Sequence, residues 1–223
     1  MAHSSSCPGW LIAFEGLDGV GKTTQARLLA ANLSRAGLSV VLTQEPTAGI
    51  FGQQIRRLNR RGRRDLSPEE ELALFLADRQ QHVQQVIQPA LAAGKIVITD
   101  RYYYSSMAYQ GALGLDPEKI RKKHADFAPE PDLTILLQLP STERSQRVEQ
   151  RGRGADAFEQ ADYLARVAAI FDRLQAPNLI RLDGRGSKAE VQNRILSVVQ
   201  RLLVRAGYSP NLVAATVNQG DEP

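Results

Sequence analysis

Short, nearly continuous apolar runs alternate along this chain with stretches in which apolar positions recur every three or four residues. The runs lie at residues 10–14, 38–43, 95–99, 133–137 and 178–182. Runs of this length without polar alternation predict strands buried on both faces, as in a parallel sheet covered by helices. The intervening stretches predict those helices. Leu28, Leu29, Ala31 and Leu33, with the polar Asn32 among them, give the first an apolar face, and Gly37 caps its C-terminus. Residues 49–58 read as a short helix running into the basic loop 59–64. Ser67-Pro68-Glu69-Glu70 is a helix start: Ser67 caps, Pro68 suits the first turn and Glu70 completes a capping box. That helix is expected to continue to Gly94 with a kink at Pro89. Residues 102–111 read as a loop and short helix. Further helices are expected to open at Asp116-Pro117 and at Ser141, to run up to about Leu174, and to open at the capping box Ser187-x-x-Glu190. The expected organisation is a flexible N-terminus over 1–9, a single domain over 10–206 and a loose tail over 207–223.

Composition narrows this picture only slightly. With 223 residues, 43% of them hydrophobic, the chain can bury a sizeable core, which excludes wholesale disorder. The net charge of +4 suits an anionic partner without separating a nucleotide from a nucleic acid. Cys7 is the only cysteine, so no intramolecular disulfide can form. The first apolar run is too short for a signal or membrane helix, and a cytoplasmic location is expected.

The chemistry starts directly after the first run. Gly16, followed after four residues by Gly21-Lys22-Thr23, has the spacing of a phosphate-cradling P-loop between a strand and a helix. The loop Gly16, Leu17, Asp18, Gly19, Val20, Gly21, Lys22, Thr23 and Thr24 would place backbone N–H groups and a positive helix end around phosphate oxygens. Lys22 can reach the outer phosphates, and the Thr23 hydroxyl can ligate Mg²⁺. In parallel sheets ligands bind beyond the carboxyl ends of the strands. That rim also collects Glu45, Asp100-Arg101 and the residues near Ser141. Asp100 can hold Mg²⁺ through water, order the nucleophile, or pair with an arginine. Phe75 and Arg79 share a helix face four residues apart, where ring and guanidinium can stack and hydrogen-bond a planar base, or serve as core and surface ion pair. His3, His82 and His124 fall outside these motifs. None is assigned to catalysis, and His82 reads as a surface or helix-packing residue.

The combined pattern resembles the thymidylate kinase family. The resemblance rests on Phe14-Glu15-Gly16-Leu17-Asp18-Gly19-Val20-Gly21-Lys22-Thr23-Thr24-Gln25, Glu45-Pro46, Leu74-Phe75-Leu76-Ala77-Asp78-Arg79, Asp100-Arg101-Tyr102, the run from Ser105 to Gly111, and Pro131-Asp132-Leu133. It implies an α/β, P-loop nucleoside-monophosphate-kinase-like three-layer fold with a central five-stranded parallel sheet. The implied activity is transfer of the ATP γ-phosphoryl group to dTMP. The implied partners are ATP with Mg²⁺, dTMP and a second copy of the chain, with neither nucleic acid nor membrane. On the same grounds Asp18 approaches the sugar 3′-hydroxyl, Arg101 grips the acceptor phosphate, and Arg56 makes a further phosphate or base contact. Glu45 belongs with these acceptor-side residues. Phe75 stacks on thymine, Arg79 donates to its O4, and Ser106, Tyr109 and Gln110 line base and sugar, with Ser106 or Gln110 meeting N3–H.

Residues 147–158 have the glycine and arginine content of a lid, in which Arg147, Arg151 and Arg153 could stabilise charge on the transferring phosphate, or simply form a solvated basic helix end. Gly19 stands where some members of the family carry a catalytic arginine, which moves that role to Arg151 or Arg153. Gln44 and Asp156-Ala157 depart from patterns common in bacterial members. Alternatives are a kinase for another pyrimidine monophosphate or a weakly active nucleotide-binding relative. A GTPase lacks support because no Asn-Lys-x-Asp segment occurs, and an ATPase because no Asp-Glu pair ends the third run.

Overall fold

The structure, a computed structural model, describes residues 9–61, 66–143 and 157–208. Five parallel strands, β1 (Trp10–Glu15), β2 (Val40–Gln44), β3 (Ile96–Asp100), β4 (Leu133–Gln138) and β5 (Leu179–Asp183), stand in the order β2-β3-β1-β4-β5. The central β1 is buried along its whole length between β3 and β4, which explains its unbroken apolar run. In β1–β3 register Phe14 stands opposite Asp100, and in β2–β3 register Gln44 does too. The polar residues that end the apolar runs therefore remain strand-paired and converge on one rim.

Around the sheet lie α1 (Lys22–Arg35), α2 (Ile50–Arg61), α3 (Pro68–His82), α4 (Gln88–Ala92), α5 (Tyr103–Gly111), α6 (Pro117–Ala125), α7 (Ala157–Arg173) and α8 (Lys188–Arg205). Helix α1 packs with α8, and α5 packs with α3, α6 and α7. The capping boxes at Ser67 and Ser187 and the Asp116 cap form as the sequence predicts. Gly37, at φ 85°, ends α1 in a Schellman turn, with Leu38 N–H donating to Leu33 O and Gly37 N–H to Ser34 O. Leu38 is thus taken by the cap, and β2 starts two residues later than expected. Helix α2 runs on to Arg61 and absorbs the start of the expected basic loop. The long helix expected from Pro68 to Gly94 is interrupted by a π turn, Val83–Ile87, where the Gln88 N–H reaches Val83 O. Widening the helix there makes room for the Pro89 ring, which would otherwise meet the carbonyl four residues back. A helical turn begins at Ser141. Among the described residues no helix is long and apolar enough to cross a membrane.

Candidate active site

The P-loop is shaped by three glycines in left-handed backbone: Gly16 (φ 128°), Gly19 (φ 87°) and Gly21 (φ 100°). A Cβ on Gly16 would also lie 2.4 Å from Leu137 O on the neighbouring strand. Gly21 caps α1 without a side chain, and the first turn of α1 carries no acidic residue. The helix N-terminus therefore faces the loop with its N–H groups uncovered by its own side chains, as an anion site requires. Lys22 is buried, and its Nζ donates to Leu17 O at 2.8 Å. Burial, with Arg101 nearby, pushes the Lys22 ammonium down to about 8, against the pull of Asp18, Asp100 and Glu15. The bound triphosphate needs the protonated form. ATP affinity of the ligand-free protein is therefore expected to fall as pH rises through about 8, approaching a tenfold loss per unit. Calorimetric titration with ATP between pH 7 and pH 10 checks this, and a flat profile would refute it.

Beside the loop the Thr23 hydroxyl donates to Asp100 Oδ2. The other oxygen, Asp100 Oδ1, is buried and has no hydrogen-bond partner among the described residues. A hydroxyl against a carboxylate with one orphaned buried oxygen is a donor set that fits a hard divalent cation. Among the described residues no group of three or more His, Cys, Asp or Glu could hold a metal, so most ligands would come from phosphate and water. Thr23 and Asp100 also line a cavity of about 150 Å³ with Arg27 and Gln44.

Arg101 links the P-loop to a second site. It directly follows β3, its N–H donates to Phe14 O at 2.9 Å, and its φ of 73° is left-handed, a conformation costly for a residue with a Cβ. Its Nη1 donates to Ser105 Oγ (2.9 Å) and Gly16 O (3.3 Å), its Nη2 to Asp18 Oδ1 (2.7 Å) and Tyr109 Oη (3.2 Å). Its guanidinium carbon lies 4.9 Å from the Tyr109 ring centre. Glu15, at the end of β1, holds the entry to α5: it accepts from Tyr102 N–H (2.9 Å), Ser105 N–H (3.0 Å) and the Ser105 hydroxyl (2.5 Å). Burial pushes the Glu15 carboxyl up to about 7 against these donors and Arg101. Because the Ser105 hydroxyl donates to Glu15, its lone pair faces Arg101, and the guanidinium is aimed.

Beyond Arg101 lies a cavity of about 250 Å³ lined by Asp18, Arg56, Phe75, Ser106, Tyr109 and Gln110, among others. The structure thus brings together most of the expected acceptor-side residues. Arg56 faces this cavity while its guanidinium clamps the loop after β2 through Pro46 O (2.8 Å) and Thr47 O. Glu45 and Arg79, expected to contact the ligand, do not line the cavity. They are buried behind it as an ion pair, Arg79 Nε and Nη2 donating to Glu45 Oε2 at 2.8 and 2.6 Å. Arg79 reaches toward the cavity through Ser106, whose Oγ accepts from Nη1 at 3.0 Å.

Two histidines complete this network. His82, which the sequence allowed as a surface residue, is buried, with Nδ1 2.9 Å from Glu45 Oε1 and Nε2 2.7 Å from Thr43 Oγ1. Its position one turn after Arg79 on the same helix face was the available signal. His124 Nε2 lies 3.0 Å from Arg79 Nη1, and burial followed by the Arg79 charge pushes it down to about 2, which keeps it neutral. No local pattern pointed to it. Glu15 could have been found as an acid at the end of a wholly buried strand. Arg147, Arg151, Arg153 and the Asp156 side of the lid lie outside the described residues.

Similarity to known proteins agrees with this geometry. A family model described as Thymidylate kinase matches residues 14–195. A thymidylate kinase of Desulfotalea psychrophila is 46% identical over 203 residues, covering 91% of this chain and 100% of the relative. One of Akkermansia muciniphila is 45% identical over 195 residues, covering 87% and 93%. Among solved structures, thymidylate kinase from Ehrlichia chaffeensis superimposes with a TM-score of 0.70 at 27% identity, covering 86% of this chain and 99% of that one. A P-loop joined through Arg101 to an aromatic-walled second cavity, on a β2-β3-β1-β4-β5 parallel sheet and with these similarities, assigns the chain to the thymidylate kinase family.

Proposed function

We propose that this chain transfers the γ-phosphoryl group of ATP to dTMP, giving ADP and dTDP. The observation that carries the reading is the position of Arg101, which touches the P-loop at Gly16 O and Asp18 while lining the second cavity. Two polyanions repel, and phosphoryl transfer depends on positioning and charge neutralisation more than on a strong base. Lys22 and the α1 N-terminus hold the donor phosphates. Arg101 holds the acceptor phosphate in line with them. An acceptor phosphate oxygen bonds to the γ-phosphorus as the bond to the β,γ-bridging oxygen breaks, and ADP leaves with that electron pair. The acceptor phosphate is already anionic at neutral pH, so no side chain need remove a proton.

Asp18 is 58% exposed at its side chain, so its pairing with Arg101 is weak enough to be shared with the acceptor sugar. Phe75 stacks on the base, Ser106, Tyr109 and Gln110 meet its edge and the sugar, and Arg56 adds a phosphate or base contact. Glu45 and Arg79 act from behind, keeping Ser106 in place. When bound with ATP, Mg²⁺ would neutralise phosphate charge, and Thr23 and Asp100 are the residues that would hold it. Arg151 and Arg153 are proposed to add positive charge at the transferring phosphate. The proposal places the enzyme in the cytoplasm as a homodimer.

The test is incubation with ATP, Mg²⁺ and each of dTMP, dUMP, UMP, CMP, AMP and GMP, with ADP and the diphosphate product measured separately. Selective dTMP turnover is expected. ADP release independent of any acceptor would mean an ATPase, and dTMP binding without turnover a binding relative.

A further inference from the structure

We infer that Glu71 is a positioning residue for base recognition, fixing the Gln110 amide so that the acceptor cavity selects a pyrimidine with a ring N–H. The inference rests on the dTMP reading above. Gln110, on the last turn of α5, is fully buried in the cavity wall beside Ser106 and Tyr109. Its Nε2 donates to Glu71 Oε1 at 2.8 Å. A carboxylate can only accept, so reversing the amide would set oxygen against oxygen. The NH₂ is therefore committed to α3, and Oε1 takes the other position in the wall. That oxygen is buried without a hydrogen-bond partner among the described residues. An orphaned acceptor in a ligand cavity is a vacancy for a donor, because leaving it unpaired costs free energy.

Ser106 supplies the complementary polarity. Its Oγ accepts from Arg79 Nη1, and a guanidinium can only donate, so the Ser106 proton is directed elsewhere. The wall thus offers an O–H donor next to a C=O acceptor. A thymine or uracil edge answers with a carbonyl oxygen next to a ring N–H. Cytosine presents an amino group next to a bare ring nitrogen, the opposite pattern at both positions. To take cytosine, Gln110 would have to turn over, and Glu71 opposes that turn. Glu71 is one turn before Phe75 and two before Arg79, so one face of α3 sets amide orientation, ring stacking and hydroxyl polarity in successive turns.

The experiment uses the full chain and Glu71→Gln, which is isosteric but can donate or accept and so releases Gln110. Steady-state kinetics with dTMP and dUMP, and inhibition by dCMP, are compared with the parent. The preference for dTMP over dCMP is expected to fall about tenfold through KM for dTMP and the dCMP inhibition constant, with kcat nearly unchanged and the dTMP-to-dUMP ratio retained. Equal losses for dTMP and dCMP would mean a merely structural role and overturn the inference. Glu71→Met serves as a second variant if the first does not fold. In the parent protein, dTMP methylated at N3 is expected to bind at least about a hundredfold more weakly than dTMP. Equal binding would also overturn the inference, whatever the variants do. Absence of dTMP turnover in the parent would instead defeat the functional reading, leaving base preference readable from binding.

Discussion

Arg101→Ala is expected to lower kcat/KM for dTMP by about three orders of magnitude while leaving ATP binding within a few-fold of the parent. The side chain contacts Gly16 O, Asp18, Ser105 and Tyr109 at once, so its charge sits where the acceptor phosphate must approach the donor. Removing it restores the repulsion between substrates and loosens their alignment. Arg101→Lys should recover little, since an ammonium cannot reproduce a fork aimed at several oxygens. The backbone adds a second readout. At φ 73° any residue with a Cβ is strained, and glycine is not. Arg101→Gly is therefore expected to be as inactive as Arg101→Ala but about 1 kcal/mol more stable in denaturant unfolding. An alanine variant as stable as the glycine one would mean that the backbone relaxes, and an active one would remove Arg101 from the acceptor site.

The largest stability effect is expected at Glu45. Its carboxylate is buried with Arg79 on one oxygen and His82 on the other. Glu45→Ala leaves the Arg79 charge buried without its counterion, an arrangement that costs about 3–5 kcal/mol. Glu45→Gln keeps the shape and should cost less. Activity should fall together with stability, because Arg79 then no longer holds Ser106 at the cavity. The sign of the pH dependence follows from the same network. Burial alone would raise the Glu45 carboxyl, but Arg79 and His82 outweigh it and hold it below the usual carboxylate range. A depressed folded value gives stability that is present above about pH 4.5, the unfolded value, and lost as pH falls through the folded one. Urea midpoints from pH 7 to pH 3 should therefore converge between parent and Glu45→Gln at the acid end. A constant gap across that range would remove Glu45 from the acid response.

The P-loop could be read because spacing carries its physics: glycines at the turns, then Lys22 and Thr23 at a helix start. The capping boxes at Ser67 and Ser187 were equally local, since each is complete within four residues. The rim that collects Asp100, Glu45 and the P-loop followed from parallel-strand topology alone. The resemblance groups Phe75, Arg79 and Ser106, but in the fold Glu45 and Arg79 pair with each other behind the cavity. Arg79 faces Glu45, Ser106 and His124, which lie 34, 27 and 45 positions away. Nothing in the residues around Arg79 reports such a choice. A buried guanidinium must be matched in place, and only the packing of α3 against β2, α5 and α6 shows by what.

The chain's sequence by itself therefore determined the five strands, the helix caps and a triphosphate loop leading into α1, although only β1, β3 and β4 are buried on both faces and the edge strands β2 and β5 stay half-exposed. Each of these is enforced by interactions a few residues long or by the period of the apolar pattern. Tertiary structure decided which polar groups meet the ligand and which hold others in place. It put Glu15 under Ser105, Glu71 against Gln110 and His124 beside Arg79, and it turned Arg101 into left-handed backbone at the end of β3. Those pairings depend on strand register and helix packing across distant segments. The reason is that desolvation makes an unpartnered buried polar group costly, while the sequence around it leaves the identity of the partner open.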